Sequence, residues 1–264
     1  MVGVCLLVVA WRVTADPLVV GANRDERTDR PATAVTVLRA ADPRILGGRD
    51  LAAGGTWLAV NEHGVVAGLT NRPLPEGRDP TKRSRGLLPL LAAARPSAEA
   101  SVAALLDEVD PAEFNPGWLL VGDRSSLFAV SIDGDRPTAE PLPPGIHVLE
   151  NHPPGAPSAK AAHVRRLLGT LSGCGPTDGL TGRLRSVLAD HSRPDPLPEG
   201  RPPFVASACV HGDEYGTRSS ALVTVPADCS RLPSLAVADG PPCRTPFHLA
   251  DELWHGNRVA AARG

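Results

Sequence analysis

A cysteine stands in the first apolar run of the chain, and polar residues that could cooperate with it recur near the ends of later apolar runs. Cys5 lies within MVGVCLLVVAW. Attack of a cysteine on a carbonyl carbon needs a thiolate, a proton acceptor, donors for the developing oxyanion and groups that hold the substrate. The residues at strand ends or turns that could supply these functions are Cys5, Asn23, Arg24, Asp25, Asn71, Asn151 and Arg218.

The proton acceptor is the first question that this set raises. The sequence places no histidine beside Cys5, which argues against a cysteine–histidine pair. An amino-terminal cysteine needs no such partner, because its own α-amino group, with a pKa of about 7.7–8.0, can accept the proton near neutral pH. The alternative is that Cys5 is a small buried hydrophobe, which is the common role of cysteine in a core. Catalysis by Cys5 therefore requires that it become the first residue.

Charge and hydropathy exclude several classes of protein. The 264 residues carry 27 basic and 29 acidic side chains, so the net charge of −2 leaves no overall signal for nucleic acid or a membrane surface. The first apolar run has no basic segment before it and is too short to span a bilayer, and no other run reaches the roughly 18 apolar residues of a membrane span. We expect a cytoplasmic protein without an integral membrane segment. The abundant arginine, alanine, proline and glycine are typical of a GC-rich bacterial genome, and the oligomeric state stays open.

Cysteine and histidine spacing argues against a metal or disulfide framework. The five cysteines are odd in number, widely scattered and contain no C-x-x-C pair. The eight histidines are equally dispersed, with no H-E-x-x-H or similar ligand spacing. The sequence therefore predicts no zinc site, and the chemistry considered above requires no cofactor.

The elements that must position these residues are blocks of antiparallel hairpins separated by helix pairs. Helices are predicted at LLPLLAAAR, SAEASVAALLDEV, SAKAAHVRRLLGTL and GLTGRLRSVLAD. Strands are predicted at VGVCLLVVAWRV with PLVVGAN, GTWLAV with VVAGLTN, GWLLVGD with SLFAVSI, IHVLEN alone, and FVASACVHG with SSALVTV. The order lacks the regular strand–helix alternation of a doubly wound sheet. We expect an α+β fold of two antiparallel sheets with helices outside.

Four ordered blocks carry a family resemblance. They are GANRDERTDRP, ILGGRDLAAGGTWLAVNEHGVVAGLTN, RSRG and EYGTRSSALV, and together with Cys5 they extend to about Val225. They resemble the motifs of the NRDE family, of the Transport and Golgi organization 2 type, which is related to N-terminal-nucleophile hydrolases such as choloylglycine hydrolase and penicillin V acylase. The resemblance implies a four-layer αββα sandwich. It also implies one domain over residues 1–264, with a divergent tail from about residue 226.

The resemblance implies a role for each site residue. Cys5 matches the nucleophile and Asp25 the aspartate that contacts the amino group of the nucleophile. Asn23 precedes that aspartate as in the pattern of the related hydrolases. The remaining roles are oxyanion or substrate binding by Asn151 and Asn71, and positive charge near the catalytic centre from Arg218 and Arg24.

The chain departs from the family pattern in two places near its beginning. The related hydrolases carry an arginine just before the matching Asn23, whereas this chain has Ala22 there and Arg24 beyond. The family cysteine normally follows the initiator methionine, whereas Met1, Val2, Gly3 and Val4 precede Cys5 here. Autocatalytic cleavage of this leader or translation from Val4 would each expose the amine of Cys5, and we favour the start at Val4.

Two functions of different classes follow. The first is a cysteine N-terminal-nucleophile amidohydrolase or acyltransferase acting on a small acylated molecule. The second is a binding or trafficking protein that uses the same cleft, without turnover, for haem or for an acyl-lipid or acyl-CoA ligand. The histidines nearest the family motifs, and so the possible axial ligands of haem, are His63, His147 and His152.

Simpler interpretations of the polar residues remain open beside these roles. Asp25, Asn71 and Asn151 are common in caps and turns, and Arg24 could pair with a neighbouring carboxylate. Arg218 could be a solvated turn residue. The arginines of RSRG, Arg83 and Arg85, are expected on a solvated face or at a helix start.

Overall fold

The fold was examined in a computed structural model, which describes residues 5–169, 176–197 and 202–256. These ranges hold four α-helices: α1 (Leu87–Ala93), α2 (Ala98–Glu108), α3 (Ala159–Leu168) and α4 (Thr177–Leu188). They also hold thirteen strands: β1 (Leu6–Trp11), β2 (Leu18–Arg27), β3 (Ala32–Arg39), β4 (Ile45–Asp50), β5 (Leu58–Asn61), β6 (Val66–Asn71), β7 (Gly117–Gly122), β8 (Leu127–Ile132), β9 (Thr138–Pro141), β10 (Gly145–Leu149), β11 (Tyr215–Val225), β12 (Ser234–Ala238) and β13 (His248–Leu249).

The strands form two antiparallel sheets, as the sequence predicts. One has the order β10-β1-β2-β11-β12-β13 and the other β3-β4-β5-β6-β7-β8-β9. The hairpin of β1 and β2 pairs Leu6 with Asn23, so the NRDE segment lies beside the beginning of β1. Because Cys5 immediately precedes β1, this pairing places it against Asp25 and its neighbours.

Packing shows four layers. In β1 alternate side chains face opposite sides: Leu7 and Val9 enter the core between the two sheets, whereas Leu6 and Val8 pack against α3 and α4. Since both faces of β1 are covered, the strand forms a continuous apolar run rather than an alternating one. Helices α1 and α2 cover the outer face of the second sheet. The layer order is therefore αββα.

The prediction of a final hairpin is wrong. FVASACVHG forms a 3₁₀ helix at Pro203–Ala206 followed by irregular chain, and β11 pairs with β2 and β12 instead. The backbone of this segment finds other partners: the Asn23 Nδ2 donates to the Ala208 carbonyl at 2.8 Å, and the Cys209 N–H donates to the Asp190 carbonyl at 2.8 Å. Because its backbone groups find hydrogen-bond partners in this way, the segment does not need to pair with a β-strand.

The chain beyond residue 226 belongs to the same fold. Strand β12 pairs with β11, so this part extends the first sheet. Trp254 is buried in the core between the sheets and donates its Nε1 proton to the Pro233 carbonyl at 2.7 Å. Over the ranges given above, every helix is too short or too polar to cross a membrane.

Candidate functional site

A cavity of about 320 Å³ opens where the first hairpin meets the loops that precede α1. Cys5 lines it, together with Arg24 and Glu26 from β2 and Asn71 from the end of β6. Its volume lies at the lower end of the range for small-molecule sites. The pairing of β1 with β2 and the position of the end of β6 thus bring these four residues to one cavity.

The Cys5 thiol is buried, with 8% of the residue exposed. Burial and, to a smaller extent, the Asp25 carboxylate raise its pKa to about 12, although the positive charge of Arg24 opposes both. The backbone N–H of Asp25 also hydrogen-bonds the sulfur and stabilises its charged form. At neutral pH the thiol in this environment holds its proton, so nucleophilic chemistry here needs a base very close to the sulfur.

Asp25 is fully buried beneath this cysteine. Its Oδ1 accepts a hydrogen bond from the Thr217 hydroxyl at 2.6 Å, and its backbone carbonyl accepts one from the Tyr215 hydroxyl at 2.8 Å. Burial raises the pKa of Asp25 to about 6, while the charge of Lys160 is the largest opposing influence. Within the described part of the chain Oδ2 has no partner. A buried carboxylate oxygen without a donor is costly, and the carboxylate can accept one more hydrogen bond.

Asn23 faces away from the cavity and fixes the strand. Its Nδ2 donates to the carbonyls of Leu188 and Ala208 at 2.9 and 2.8 Å. Both amide protons are therefore used against the helix layer. Asn23 therefore positions β2 from behind the cavity and does not line it.

Asn71 and Asn151 come together. The Asn151 Nδ2 donates to the Asn71 backbone carbonyl at 2.6 Å, although the two are 80 residues apart in sequence. Asn71 lines the cavity, and Asn151 is buried just after β10. The structure thus joins the two asparagines that the sequence analysis assigns to oxyanion or substrate binding.

Arg24 is held in place by an aromatic ring. Only 4% of the residue is exposed, and its guanidinium carbon lies 4.7 Å from the centre of the Trp57 ring. The ring in turn lies directly over Gly48, where an added Cβ would fall 2.2 Å from it. Glycine at 48 is therefore required for Trp57 to reach Arg24. All three residues lie within the sequence blocks quoted above, but the contact between them could not be predicted from the sequence.

Arg83 and Arg85 both line the cavity, and both stand just before α1, as the expectation of a helix start has it; Arg83 is also exposed, whereas Arg85 is partly buried. Burial lowers the pKa of Arg85 to about 10, and its Nη1 donates to the Pro116 carbonyl at 2.9 Å. The close approach of two glycines positions this segment: Gly55 has a positive φ of 79°, and a Cβ there would lie 2.3 Å from the Gly86 carbonyl carbon.

Arginine dominates the charged lining as a whole. Asp50 and Glu26 are the acidic residues of the lining, and Arg30 pairs with both. Six arginines face these two carboxylates: Arg24, Arg27, Arg30, Arg78, Arg83 and Arg85. The excess of positive charge favours an anionic ligand.

Arg218 does not reach this cavity. It is exposed at a bulge of β11, between Thr217 and Ser219, where the pairing with β2 shifts its register. Because Thr217 points inward to Asp25, the bulge turns its neighbour outward. The structure therefore gives no support to a role for Arg218 near the catalytic centre.

The three histidines considered for haem lie elsewhere. His63 is near Asp42 at the surface, and the His147 ring hydrogen-bonds the Pro143 carbonyl at 2.8 Å. His152 lines a different cavity, beside α3. None of the three lines the cavity at Cys5.

A second group of side chains has the atoms to hold a metal ion, which the argument from sequence spacing does not anticipate. His191, Cys209, His211 and Cys243 come together, with one ligand atom from each lying within 4.8 Å of all the others. Only Cys209 and His211 are close in sequence, so a search for short-range ligand motifs misses the group. The fold assembles it from the loop after α4, the segment before β11 and the loop after β12.

The αββα layers place this chain in the class of N-terminal-nucleophile-hydrolase folds. It superposes with a TM-score of 0.52 on the Caenorhabditis elegans N-acylethanolamine-hydrolyzing acid amidase ortholog, at 11% identity, covering 85% of this chain and 94% of that one. A variant of conjugated bile acid hydrolase from Clostridium perfringens gives 0.51, again at 11% identity, covering 94% and 93%. Identity this low establishes the fold alone.

The family is defined by sequence. Residues 4–230 match the model of the Transport and Golgi organisation 2 family, and the chain belongs to that family. The Transport and Golgi organization protein 2 homolog of Bos taurus is 31% identical over 232 residues, and the Mus musculus homolog is 29% identical. Each alignment covers 80% of this chain and 83% of the relative. The resemblance inferred from the four sequence blocks is confirmed.

Proposed function

We propose that this protein is a cysteine N-terminal-nucleophile amidohydrolase or acyltransferase acting on a small acylated molecule that carries an anionic group. The observation that carries the proposal is the joint placement of Cys5 at an arginine-lined cavity and of a buried carboxylate, Asp25, against it. The first supplies a nucleophile at a binding site, and the second supplies an acceptor for the amino group of that nucleophile.

The α-amino group of Cys5 acts as the base. It takes the proton from Sγ, the thiolate attacks the acyl carbon, and the same proton is returned to the leaving amine or thiol as its bond to carbon breaks. Water, or the acceptor of the acyl group, then attacks the resulting thioester and restores the cysteine. Asp25 accepts a hydrogen bond from the amine and holds it beside the sulfur.

The remaining residues stabilise charge. Asn71 and Asn151 are the candidates for binding the oxyanion of the tetrahedral intermediate, since they are joined to each other and Asn71 lines the cavity. Arg24 adds positive charge that favours the thiolate. Arg85 and the arginines beside it bind the anionic group of the substrate.

The mechanism requires that no peptide bond join Cys5 to a preceding residue in the active protein. Cleavage after Val4, or translation from Val4 followed by hydrolytic removal of the initiator methionine, would each meet this requirement. Residues 1–4 lie outside the described part of the chain.

A second candidate is an acyl-CoA-binding protein that uses the same cavity without turnover. The arginine lining favours it, because the phosphates of such a ligand would bind guanidinium groups well. The two functions differ in what they require of the Cys5 backbone nitrogen. Catalysis requires it as a free α-amino group, whereas binding does not.

The test is a panel of amides and thioesters, each with and without a carboxylate on the leaving group. The proposal predicts turnover, a preference for the anionic members, and a mass increase on Cys5 equal to the acyl group. Cys229→Ser, a change at an exposed cysteine, is the matched control and keeps full activity. Binding of the anionic members without turnover or adduct, by a protein that begins at Cys5, would support the binding function instead.

A further inference from the structure

Four side chains with metal-binding atoms meet at a place that is not part of the cavity lining at Cys5: His191, Cys209, His211 and Cys243. The Cys209 Sγ lies 3.7 Å from the Cys243 Sγ and 3.7 Å from the His211 Nε2, and the His211 Nε2 lies 3.2 Å from the Cys243 Sγ. The rings of His191 and His211 are 4.9 Å apart between centroids. Cys209 is buried, so the cluster extends from the interior to the surface.

These separations match the edges of a tetrahedron around zinc. Bonds of about 2.3 Å to sulfur and about 2.0–2.1 Å to nitrogen give S–S edges of about 3.8 Å and S–N edges of about 3.6 Å. The Sγ–Sγ distance of 3.7 Å and the two Sγ–Nε2 distances of 3.7 and 3.2 Å lie close to these values. A disulfide would need the sulfurs at about 2.05 Å, so the pair is placed for shared coordination rather than for a covalent bond.

The backbone around the cluster supplies the supporting contacts that metal ligands use. The His191 Nδ1 lies 3.1 Å from the Cys209 carbonyl, which accepts its proton and leaves Nε2 as the free ligand atom. The Cys209 N–H donates to the Asp190 carbonyl at 2.8 Å, and the Ser207 hydroxyl donates to the His191 carbonyl at 2.9 Å. The two segments that carry His191 and Cys209 are therefore held together independently of a metal.

We propose that His191, Cys209, His211 and Cys243 bind a Zn²⁺ ion in a closed, four-ligand structural site. Binding takes two thiolates and two neutral imidazoles, so Cys209 and Cys243 each release a proton to solvent. With no open position, the ion stabilises the fold and does not take part in acyl chemistry.

The site is connected to the buried carboxylate of Asp25 through two residues, Val210 and Thr217. Val210 lies between two of the ligands, and its N–H donates to the Thr217 hydroxyl oxygen at 2.8 Å. That hydroxyl donates in turn to Asp25 Oδ1 at 2.6 Å. A metal that fixes Cys209 and His211 therefore fixes the orientation of Thr217 and, through it, of Asp25.

The experiment measures zinc in the full-length protein, expressed with zinc supplementation and purified without metal-affinity resin. We expect about one Zn²⁺ per chain in the wild type and less than a tenth of that in Cys243→Ser. His191→Gln, a change at the exposed ligand, keeps the core intact and is expected to weaken zinc binding at least about tenfold. Cys229→Ser is the control and keeps full occupancy, because Cys229 lies outside the cluster.

Two further measurements use the same proteins. Removal of zinc with a chelator is expected to lower the melting temperature, and Zn²⁺ but not Mg²⁺ to restore it. Co²⁺ added to the metal-free protein is expected to give thiolate charge-transfer absorption that Cys243→Ser lacks. Wild-type protein that contains no zinc after expression with zinc supplementation, and whose melting temperature Zn²⁺ leaves unchanged, would overturn the proposal. A thiol titration showing Cys209 and Cys243 joined as a disulfide in freshly reduced, refolded protein would overturn it as well.

Discussion

Cys5 and Cys209 are two buried thiols whose pKa values burial raises to about 12, yet their surroundings prepare them for different chemistry. Cys5 opens onto a cavity and has a cation, Arg24, and a carboxylate, Asp25, beside it. Cys209 has a second thiol and two imidazoles around it. Burial alone therefore says little about the use of a cysteine; the groups that could receive its proton or share its charge are decisive.

The two centres are also physically joined. Thr217 links Asp25, whose charge acts on the pKa of Cys5, to Val210, which lies between two ligands of the proposed zinc site. We propose that the centre at Cys5 is catalytic, and that the zinc site fixes the orientation of Thr217 and Asp25. Changes at each should therefore leave different signatures.

The largest expected difference separates Cys5→Ala from Cys209→Ser. The first removes the nucleophile and is expected to lower turnover at least about 10³-fold while leaving zinc content and melting temperature near those of the wild type. The second is expected to remove zinc and lower the melting temperature. Turnover, bound zinc and melting curves measured on both variants check this. Loss of zinc in Cys5→Ala, or its retention in Cys209→Ser, would break the comparison.

Asp25→Asn is expected to lower turnover and raise stability. The pKa of Asp25 is raised from 3.8 to about 6 in the fold, so the folded protein holds this proton more tightly than the unfolded chain does. Stability is therefore lost as the pH rises from about 4 to 6, and the loss is complete above that range. The asparagine variant avoids this loss and is expected to gain roughly 1–3 kcal/mol at pH 7.

Urea unfolding at several pH values checks this prediction. The difference in free energy of unfolding between Asp25→Asn and the wild type should be small near pH 4 and grow towards pH 7. A difference independent of pH would show that Asp25 does not ionise in the fold as described. A variant that kept full turnover would remove Asp25 from the mechanism.

A smaller effect is expected from Arg85→Gln. The loss of one charge-assisted contact to an anionic group should raise KM for carboxylate-bearing substrates about tenfold. KM for their uncharged analogues should change little. Arg218→Gln is the matched control, because that arginine is exposed and away from the cavity, and it should leave both values unchanged. Equal effects of the two substitutions on KM would contradict the assignment of Arg85 to binding the anionic group. An Arg85→Gln effect of the same size on charged and uncharged substrates would contradict it as well.

Much of the architecture can be predicted from local patterns. The hairpins β1–β2 and β5–β6 and the helices α1–α4 follow from apolar runs, turn residues and helical periodicity. Strands such as β3, which is only half-buried, lack a clear pattern. The run FVASACVHG has strand-like composition but satisfies its backbone through Asn23 and Asp190, residues far away in sequence.

Prediction of the site divides in the same way. The NRDE residues lie within a recognisable block, and Cys5 is the cysteine of the apolar run that precedes it, so they can be named from the sequence. The stacking of Trp57 over Gly48 and the approach of Gly55 to Gly86 are tertiary contacts, and they decide where Arg24 and Arg85 point. The four-residue metal cluster draws on segments more than 50 residues apart at its extremes, which no short-range spacing rule contains.

The most direct test of the central claim is the intact mass of the protein expressed from its own gene with the native upstream region, before and after incubation with a slowly hydrolysed acyl substrate. The account predicts a chain that begins at Cys5 and gains one acyl group on that residue. A chain that still carries Val2, Gly3 and Val4, and that turns over substrate without an adduct on Cys5, would contradict it.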